Sequence, residues 1–282
     1  MHSGVGPAAQ LKRHKIEVVH DIPSVGEGLR DHCFVPMVNT RTDTSTDRKA
    51  SHGSQKAMDN WVMGNVSCEL DIGWFKPTEK LRTWPEFLAL PEYEQRYLLQ
   101  GTVPHFEMII HSPTFFNALN YHCFLVFLFN AQTRGQVMLQ SSDADAPLLF
   151  DAKFLAHPFY RRLAVEAPRG SFRYTKDSVA NLAMPQDASD EELLGYWLAN
   201  ISSSWNMTGT VKMGKSGDSD AIVDADFKVI GIENLRIADM GVVPVLVNAH
   251  IQVVAYVTGV TCAEKLQRDY QFNQKVQGRS AL

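Results

Sequence analysis

Three stretches near the carboxyl end decide the predicted fold. Residues 205–214, 221–244 and 248–259 read WNMTGTVKMG, AIVDADFKVIGIENLRIADMGVVP and NAHIQVVAYVTG. In the first two, β-rich runs alternate with Gly, Asp and Asn, a pattern typical of short strands joined by tight turns. The third continues to residue 270 without proline and predicts a long helix. This part of the chain is therefore expected to be a compact β region that ends in a helix.

The middle of the chain predicts a sheet. Three β-rich runs bounded by Asn, Pro and Gly read HFEMIIHS (105–112), NYHCFLVFLFN (120–130) and RGQVMLQS (134–141). Within residues 127–139, FLFNAQTRGQVML predicts two antiparallel strands joined by a short polar turn. Together with a turn, helix and strand over residues 3–22, these runs predict the α+β class, with a substantial antiparallel sheet and flanking helices.

Two further segments predict helices, and one predicts a loop. Residues 157–182 have helical spacing, but Pro168 inside them predicts a break or kink. Residues 187–202, DASDEELLGYWLANIS, predict a helix with Ser189 as its N-cap and acidic residues in its first turn. Residues 39–60 are polar and Thr/Ser-rich, which indicates a surface loop or a disordered insertion.

Composition and charge exclude several classes of protein. The chain has 282 residues, 45% of them hydrophobic, and a formal net charge of −4 with no basic stripe. Nucleic acid is therefore not an expected partner. No apolar run is long enough for a bilayer, and no secretory signal is seen, so a soluble, cytoplasmic protein is expected. The four cysteines are scattered and the histidines have no completing ligands, so no metal site is expected.

Three stretches in this order resemble one family of enzymes. They are SGVGPAAQLKRHKIEVVHDIPSVGEGLRDH (3–32), QTRGQVMLQSSDADAPLLFDAKFL (132–155) and the carboxyl-terminal block above. The chain resembles the glucose–methanol–choline (GMC) oxidoreductases from Met1 to about Tyr270, and most of all the fungal branch with glucose oxidase and aryl-alcohol oxidase. The resemblance implies flavin-domain segments at 1–38 and 201–282, a polar loop at 39–60, and a substrate-binding domain at 61–200.

The resemblance also concerns the cofactor, FAD. In that family, SGVGP lies about halfway along a longer chain and follows a strand–helix unit whose G-x-G-x-x-G turn holds the FAD pyrophosphate. Here only the pairs Gly4/Gly6 and Gly26/Gly28 approach that pattern, and neither supplies a small third residue after a strand. We therefore expect the main FAD-binding half to lie outside this chain, which would provide only the minor cofactor contacts.

The catalytic residues implied by the resemblance are His250 and Asn206. The family pairs a histidine before "GT" with a second His or Asn about forty residues later; here these positions hold Asn206 and His250. An amide cannot accept a full proton near neutral pH, so Asn206 is not a general base, although it can form hydrogen bonds. Two interpretations stay open: His250 is the base with Asn206 as its partner, or alcohol oxidation is weakened or lost. Its position alone favours the interpretation of His250 as a core histidine, and only the resemblance favours a site residue.

Five further residues match cofactor contacts of the family. Asp239 and Met240 lie where an acidic residue and the following N–H approach the FAD; without FAD, Asp239 is interpreted as a turn or helix cap. Ile251, Gln252 and Val253 begin the last helix, whose N-terminus would lie beneath the flavin. The aromatic residues Trp205 and Tyr256 could line a substrate cavity, but the interpretation favoured here is that of core side chains. Asp31 and His32 are interpreted as structural.

Two functions follow from these observations. The first is GMC-type oxidation of a small-molecule alcohol by hydride transfer to FAD, with the chain doubtful as an autonomous enzyme. The second is a non-redox catalyst or binder, of cyclase, dehydratase or isomerase type, that acts on an apolar metabolite. Because half of a fold would leave an apolar face exposed, the expected protein partner is a separate flavin-binding chain or a second copy in a homo-oligomer.

Overall fold

The computed structural model describes residues 1–40, 71–75, 78–111, 121–172, 180–181 and 187–270. The chain forms two compact units: unit 1 comprises residues 1–31, 133–154 and 205–282, and unit 2 comprises residues 32–132 and 155–204. Most of the predicted polar loop at 39–60 lies outside the described residues. The assignment of 1–38, 61–200 and 201–282 to a flavin or substrate-binding domain stays a prediction.

The described residues form seven α-helices and eleven strands. The helices are α1 (Ala8–Arg13), α2 (Thr78–Leu81), α3 (Pro85–Leu88), α4 (Glu92–Leu98), α5 (Pro158–Phe172), α6 (Asp190–Asn200) and α7 (Gln252–Tyr270). The strands are β1 (Val5–Gly6), β2 (His20–Asp21), β3 (Glu27–Leu29), β4 (Cys33–Thr40), β5 (Asp71–Phe75), β6 (Phe106–His111), β7 (Tyr121–Leu128), β8 (Gly135–Met138), β9 (Leu149–Asp151), β10 (Ala180–Asn181) and β11 (Ser202–Ser203). None of the described helices is both long and apolar enough to span a bilayer.

Unit 2 is built on an antiparallel sheet. Its strands run in the order β10-β4-β7-β6-β5, and β11 also pairs with β4. Val126 of β7 lies between Val35 of β4 and Met108 of β6, and all three side chains are buried. Helices α5 and α6 pack beside this sheet. The mixed helix and antiparallel-sheet class predicted from the sequence is therefore confirmed.

Unit 1 contains two smaller sheets and the last helix. β3, β8 and β9 form an antiparallel sheet in that order, whereas β1 and β2 form a parallel pair joined through α1. A cluster of buried side chains holds the unit together: Ile222, Val223, Phe227, Val229, Val242 and, from α7, Cys262. The chain over residues 221–244 thus becomes a series of turns and short bridges that present apolar side chains to α7.

The predicted hairpin at residues 127–139 is wrong. β7 pairs with β4 and β6, whereas β8 pairs with β3 and β9, so the two strands belong to different sheets. Between them, the Asn130 side-chain amide donates to the Pro104 carbonyl at 2.8 Å, and Asn130 has a φ of 59°. Alternating apolar residues identify a strand but do not identify its partner, which is why the hairpin was mispredicted.

Of the break or kink predicted at Pro168, the break is wrong, because α5 continues through this residue to Phe172, and the kink stays a prediction. A proline removes one helical hydrogen bond. The same helix buries Leu163, Ala164 and Ala167 completely, which favours its continuation. Tertiary packing therefore outweighs the local penalty.

The predicted N-cap of α6 is confirmed. The Ser189 hydroxyl accepts from the Glu192 backbone N–H at 3.2 Å, and the Glu192 carboxylate accepts from the Ser189 backbone N–H at 2.8 Å. This reciprocal pair is a capping box, which satisfies two donors that a helix N-terminus otherwise leaves without partners.

Candidate functional site

Asn206 is held by a buried carboxylate. Its backbone N–H donates to Oδ1 of Asp31 at 2.9 Å, and both residues are buried. Two residues further on, Thr208 exchanges backbone hydrogen bonds of 2.9 and 3.0 Å with Arg30. Because a buried N–H without an acceptor is costly, Asp31 fixes the position of the backbone that carries Asn206.

The residue before Asn206 has an uncommon backbone conformation. Trp205 has a φ of 58°, in the left-handed region, and its side chain is 79% exposed. A bulky residue rarely adopts this conformation unless its surroundings enforce it. The interpretation of Trp205 as a core side chain is wrong, because the turn directs the indole away from the core. Tyr256 of α7 is likewise exposed rather than buried.

Asp239 begins a tight turn. Its Oδ1 accepts from the Gly241 backbone N–H at 2.7 Å, and it caps a 3₁₀ turn over Met240–Val242. Gly241 and Val242 in turn accept backbone hydrogen bonds from Val211 and Met213, at 3.0 and 2.9 Å. Asp239 is thus a turn cap in the structure, and its exposed side chain lies on a turn bonded to the segment that follows Asn206.

His250 lies directly before the last helix. The imidazole is exposed, and the preceding residue, Ala249, has a φ of 64°. Helix α7 begins at Gln252, and the carbonyl of Ile251 accepts from the Ala255 N–H at 3.0 Å. The N–H groups of the first helical turn have no acceptor within a helix, and the helix dipole adds partial positive charge there. The exposed imidazole of His250 therefore lies next in sequence to the backbone N–H donors at the start of α7.

The seven predicted site residues all belong to unit 1, although 44 positions separate Asn206 from His250 in the sequence. Hydrogen bonds join the segment after Asn206 to the Asp239 turn. The individual catalytic and cofactor-binding roles of these residues stay predictions. No group of three or more His, Cys, Asp and Glu side chains suited to a metal ion occurs among the described residues.

Sequence reasoning treated Asp31 as merely structural and missed its link to Asn206. The two residues are 175 positions apart, so no local spacing could connect them. A usable signal is a carboxylate two residues after Leu29 and two residues before Cys33, just ahead of a strand. A buried acidic residue generally has a specific donor, which is the argument that would have prompted a search for one.

Comparisons with known proteins agree with the architecture. A structure of formate oxidase from Aspergillus oryzae, concerned with modification of its FAD, superposes with a TM-score of 0.74 at 25% identity, over 96% of this chain and 52% of that chain. Dehydrogenase pkfF of Emericella nidulans is 28% identical over 95% of this chain and 47% of its own length. Patulin synthase of Penicillium expansum is 28% identical over 91% of this chain and 44% of its own length.

These similarities place the fold of the chain with that of known oxidoreductases. A family model shows which part of such enzymes the chain matches. Residues 131–259 match the GMC oxidoreductase model for the carboxyl-terminal region, a range that includes Asn206, Asp239 and His250. Over this range the chain is similar to the carboxyl-terminal region of the GMC oxidoreductases. It spans about half the length of the curated relatives that it matches.

Proposed function

We propose that this chain contributes the acid–base residues of a GMC-type, FAD-dependent oxidation of a small-molecule alcohol. One observation carries the proposal: the family match runs from residue 131 to residue 259 and so covers Asn206, Asp239, His250 and the start of α7. The class of the substrate, an alcohol, follows from the family and from the chemistry of these side chains.

The residues at the start of α7 fit one edge of a flavin. The N–H groups of residues 252 and 253 point along a 19-residue helix axis toward its N-terminus and suit the polar, electron-rich edge of a ring system. The exposed Asp239 and the backbone of Met240 would contact the ribityl or phosphate part. When bound, FAD accepts the hydride of the alcohol carbon. The residues of this chain would contact only one side of the bound FAD.

His250 is the proposed proton acceptor. An imidazole changes its charge near neutral pH, so it can take the hydroxyl proton of the alcohol and later return it to solvent. Its exposure leaves the ring accessible to a substrate. Asn206 would orient the alcohol oxygen through its side-chain amide, because an amide donates hydrogen bonds without titrating. Its backbone N–H is occupied by Asp31, which keeps the residue in place.

The test is an anaerobic flavin-reduction assay. The purified chain is examined by absorbance with added FAD, first alone and then with a separately expressed polypeptide covering the part of dehydrogenase pkfF that this chain does not match. Alcohols from a panel should bleach the flavin band. His250→Gln should slow bleaching by about 10²–10⁴-fold while the band itself persists. His157→Gln, on a histidine of the other unit, is the matched control and should bleach at the unchanged rate.

Asn206→His distinguishes the two interpretations of the site. If Asn206 is only an orienting group, histidine there should preserve or raise the bleaching rate. A folded chain that never acquires a flavin band, in either sample, would overturn the redox proposal and favour the non-redox catalyst.

A further inference from the structure

Trp205 is the most exposed large apolar side chain among the described residues. It is 79% exposed, although Asn206 and Thr208, which follow it, are both buried. Exposure alone would carry no functional meaning, because single apolar side chains are common at protein surfaces. A second observation, the conformation of the backbone at this residue, gives the exposure a meaning.

The backbone at Trp205 is strained. Its φ of 58° lies in the left-handed region, which glycine and asparagine adopt readily and which is unfavourable for a bulky side chain. Strain of this kind persists only where the surrounding structure enforces it, and it is concentrated at functional sites. A tryptophan at this position is therefore not what the turn itself favours.

Hydrogen bonds on both sides of Trp205 hold the turn in place. The Ser204 N–H donates to the His32 carbonyl at 2.9 Å, and the Asn206 N–H donates to Oδ1 of Asp31 at 2.9 Å. Because Oδ1 belongs to a side chain, the chain departs here from the antiparallel pairing that joins Thr208 to Arg30. Such irregularities redirect side chains next to active sites. The fold therefore fixes the indole in its outward position.

The indole adjoins the group that is proposed to orient the alcohol. Consecutive Cα atoms are about 3.8 Å apart, so a ring carried one or two bonds from a hydroxyl held by Asn206 would lie within reach of the side chain of Trp205. Indole offers a flat apolar face, and aromatic rings stack on one another with their centroids about 4.5–7 Å apart. The position suits a planar ring better than a flexible aliphatic chain.

We propose that Trp205 is a specificity-determining residue of the site, whose indole packs against an aromatic ring attached to the hydroxyl-bearing carbon of the alcohol. The preferred substrate class is then an arylmethanol rather than an aliphatic alcohol. The role beside Asn206 rests on the proposed function. The contact between indole and ring is a property of this chain alone, so it can be measured without a flavin.

Ligand binding to the full chain tests the contact. The five tryptophans are isotope-labelled and their indole N–H signals are recorded by NMR, with Trp205→Phe identifying the signal of Trp205 by its loss. The probes are benzyl alcohol and cyclohexylmethanol, which share a carbon count and a hydroxyl but differ in having an aromatic face. Both should shift the Trp205 signal, and the Kd of benzyl alcohol should be lower by about 3–10-fold.

Flavin reduction tests the role in the reaction. In the chain complemented as above, Trp205→Leu should raise the KM for benzyl alcohol by about 3–10-fold and change kcat by less than about twofold, because the contact serves binding. The KM for cyclohexylmethanol should stay nearly constant. Trp205→Phe keeps a ring and should retain the preference. Tyr93→Leu is the matched control, since Tyr93 of α4 is a 65% exposed aromatic residue in unit 2, and it should change neither constant.

Trp205→Asn separates a role in binding from a role in folding. Asparagine adopts the left-handed conformation more readily than tryptophan, so the melting temperature should be unchanged or raised while the preference for benzyl alcohol disappears. A lowered melting temperature with the preference intact would overturn the proposal, because Trp205 would then serve the fold.

The remaining outcomes distinguish this inference from the proposed function. Equal Kd values for the two alcohols, or a Trp205 signal that neither of them shifts, would overturn the inference. Tighter binding of choline than of benzyl alcohol would also overturn it, because the indole would then hold a cation. Ring-selective binding without flavin reduction in any complemented sample would leave the contact established and overturn only the proposed function. Flavin reduction without ring selectivity would do the reverse.

Discussion

Asp31 shows at the scale of one residue how the candidate site is positioned. Its carboxylate lies in the interior and accepts from the backbone N–H of Asn206. The adjoining Trp205 has a left-handed backbone that needs such support. The site therefore depends on a residue far away in the sequence that touches no substrate in the proposed reaction.

Removing this carboxylate should destabilise unit 1. Asp31→Ala leaves the buried N–H of Asn206 without its acceptor and should lower the free energy of unfolding by about 1–3 kcal/mol. Asp31→Asn retains an acceptor oxygen and should cost less. Urea denaturation of the three proteins measures the difference. Equal stability of Asp31→Ala and the unaltered chain would show that the bond contributes nothing.

The Ser189 cap of α6 supports a second prediction. Ser189→Ala removes the hydroxyl that accepts from Glu192 and should cost about 1 kcal/mol. Ser216→Ala, at an exposed position within a turn, is the comparison and should cost less than about 0.5 kcal/mol. Thermal unfolding of both variants measures these values. If the two variants have the same melting temperature, the cap does not stabilise the protein.

Glu192 should make this cap sensitive to pH. Hydrogen bonds from the backbone N–H and then the hydroxyl of Ser189 hold the pKa of Glu192 below its ordinary value of 4.5. A carboxyl whose pKa is lowered by folding stabilises the protein above its ordinary pKa, and this stabilisation is lost as the pH falls through the lowered value. Glu192→Ala should therefore destabilise at pH 7 and lose its effect as the pH falls below about 4.

At the scale of elements, α7 is attached by charges as well as by its core contacts. The Asp226 carboxylate accepts from Lys265 at 2.7 Å and from Arg268 at 3.2 Å, both on the last turns of the helix. These hydrogen bonds, from Lys265 first and then Arg268, lower the pKa of Asp226 from its ordinary 3.8. They secure the carboxyl end of α7, while its amino end carries the proposed cofactor contacts.

Asp226→Asn should loosen this end of the helix. We expect faster amide hydrogen exchange over residues 262–270 at pH 7, and a difference from the unaltered chain that shrinks below about pH 4 and in about 1 M salt. The sign follows from the lowered pKa: the stabilising charge is present above the ordinary value and is lost as the pH falls. A difference unaffected by pH and salt would show that packing, not charge, is responsible.

At the scale of the whole molecule, each unit has its own core. In unit 2, Phe159 of α5 lies 6.4 Å from the ring of Trp84 and 6.1 Å from that of Phe87, in a cluster formed with α2, α3 and α4. The core of unit 1 lies beneath α7. A single core substitution should therefore act first on the unit that contains it.

Phe159→Ala should lower the free energy of unfolding of unit 2 by about 3–5 kcal/mol, because it leaves a cavity in a fully buried cluster. Trp84, which packs against it, reports this transition by fluorescence. Phe150→Ala is the matched control, since Phe150 is 55% exposed and belongs to unit 1. A transition at Trp84 that responds equally to both variants would contradict independent cores.

Much of the local structure could be predicted, because local chemistry decides it. The cap at Ser189 and the strands β6, β7 and β8 follow from residues close to each other in the sequence. The errors arose where distant parts compete. β7 pairs with β6, and β8 pairs with β9, so the two strands do not pair with each other. Helix α5 continues through Pro168 because one face of this helix is buried.

The sequence by itself determined the class of fold, the resemblance to one family of enzymes and the positions of the candidate residues, because turn residues, alternation and motif order are local properties. Only the tertiary structure decided that Asp31 holds Asn206, that Asp239 caps a turn, and that Val253, Tyr256, Val257 and Val260 face outward. A sequence records which side chains are apolar. Whether a given apolar face is covered depends on which other segments reach it, and that is settled only when the chain has folded.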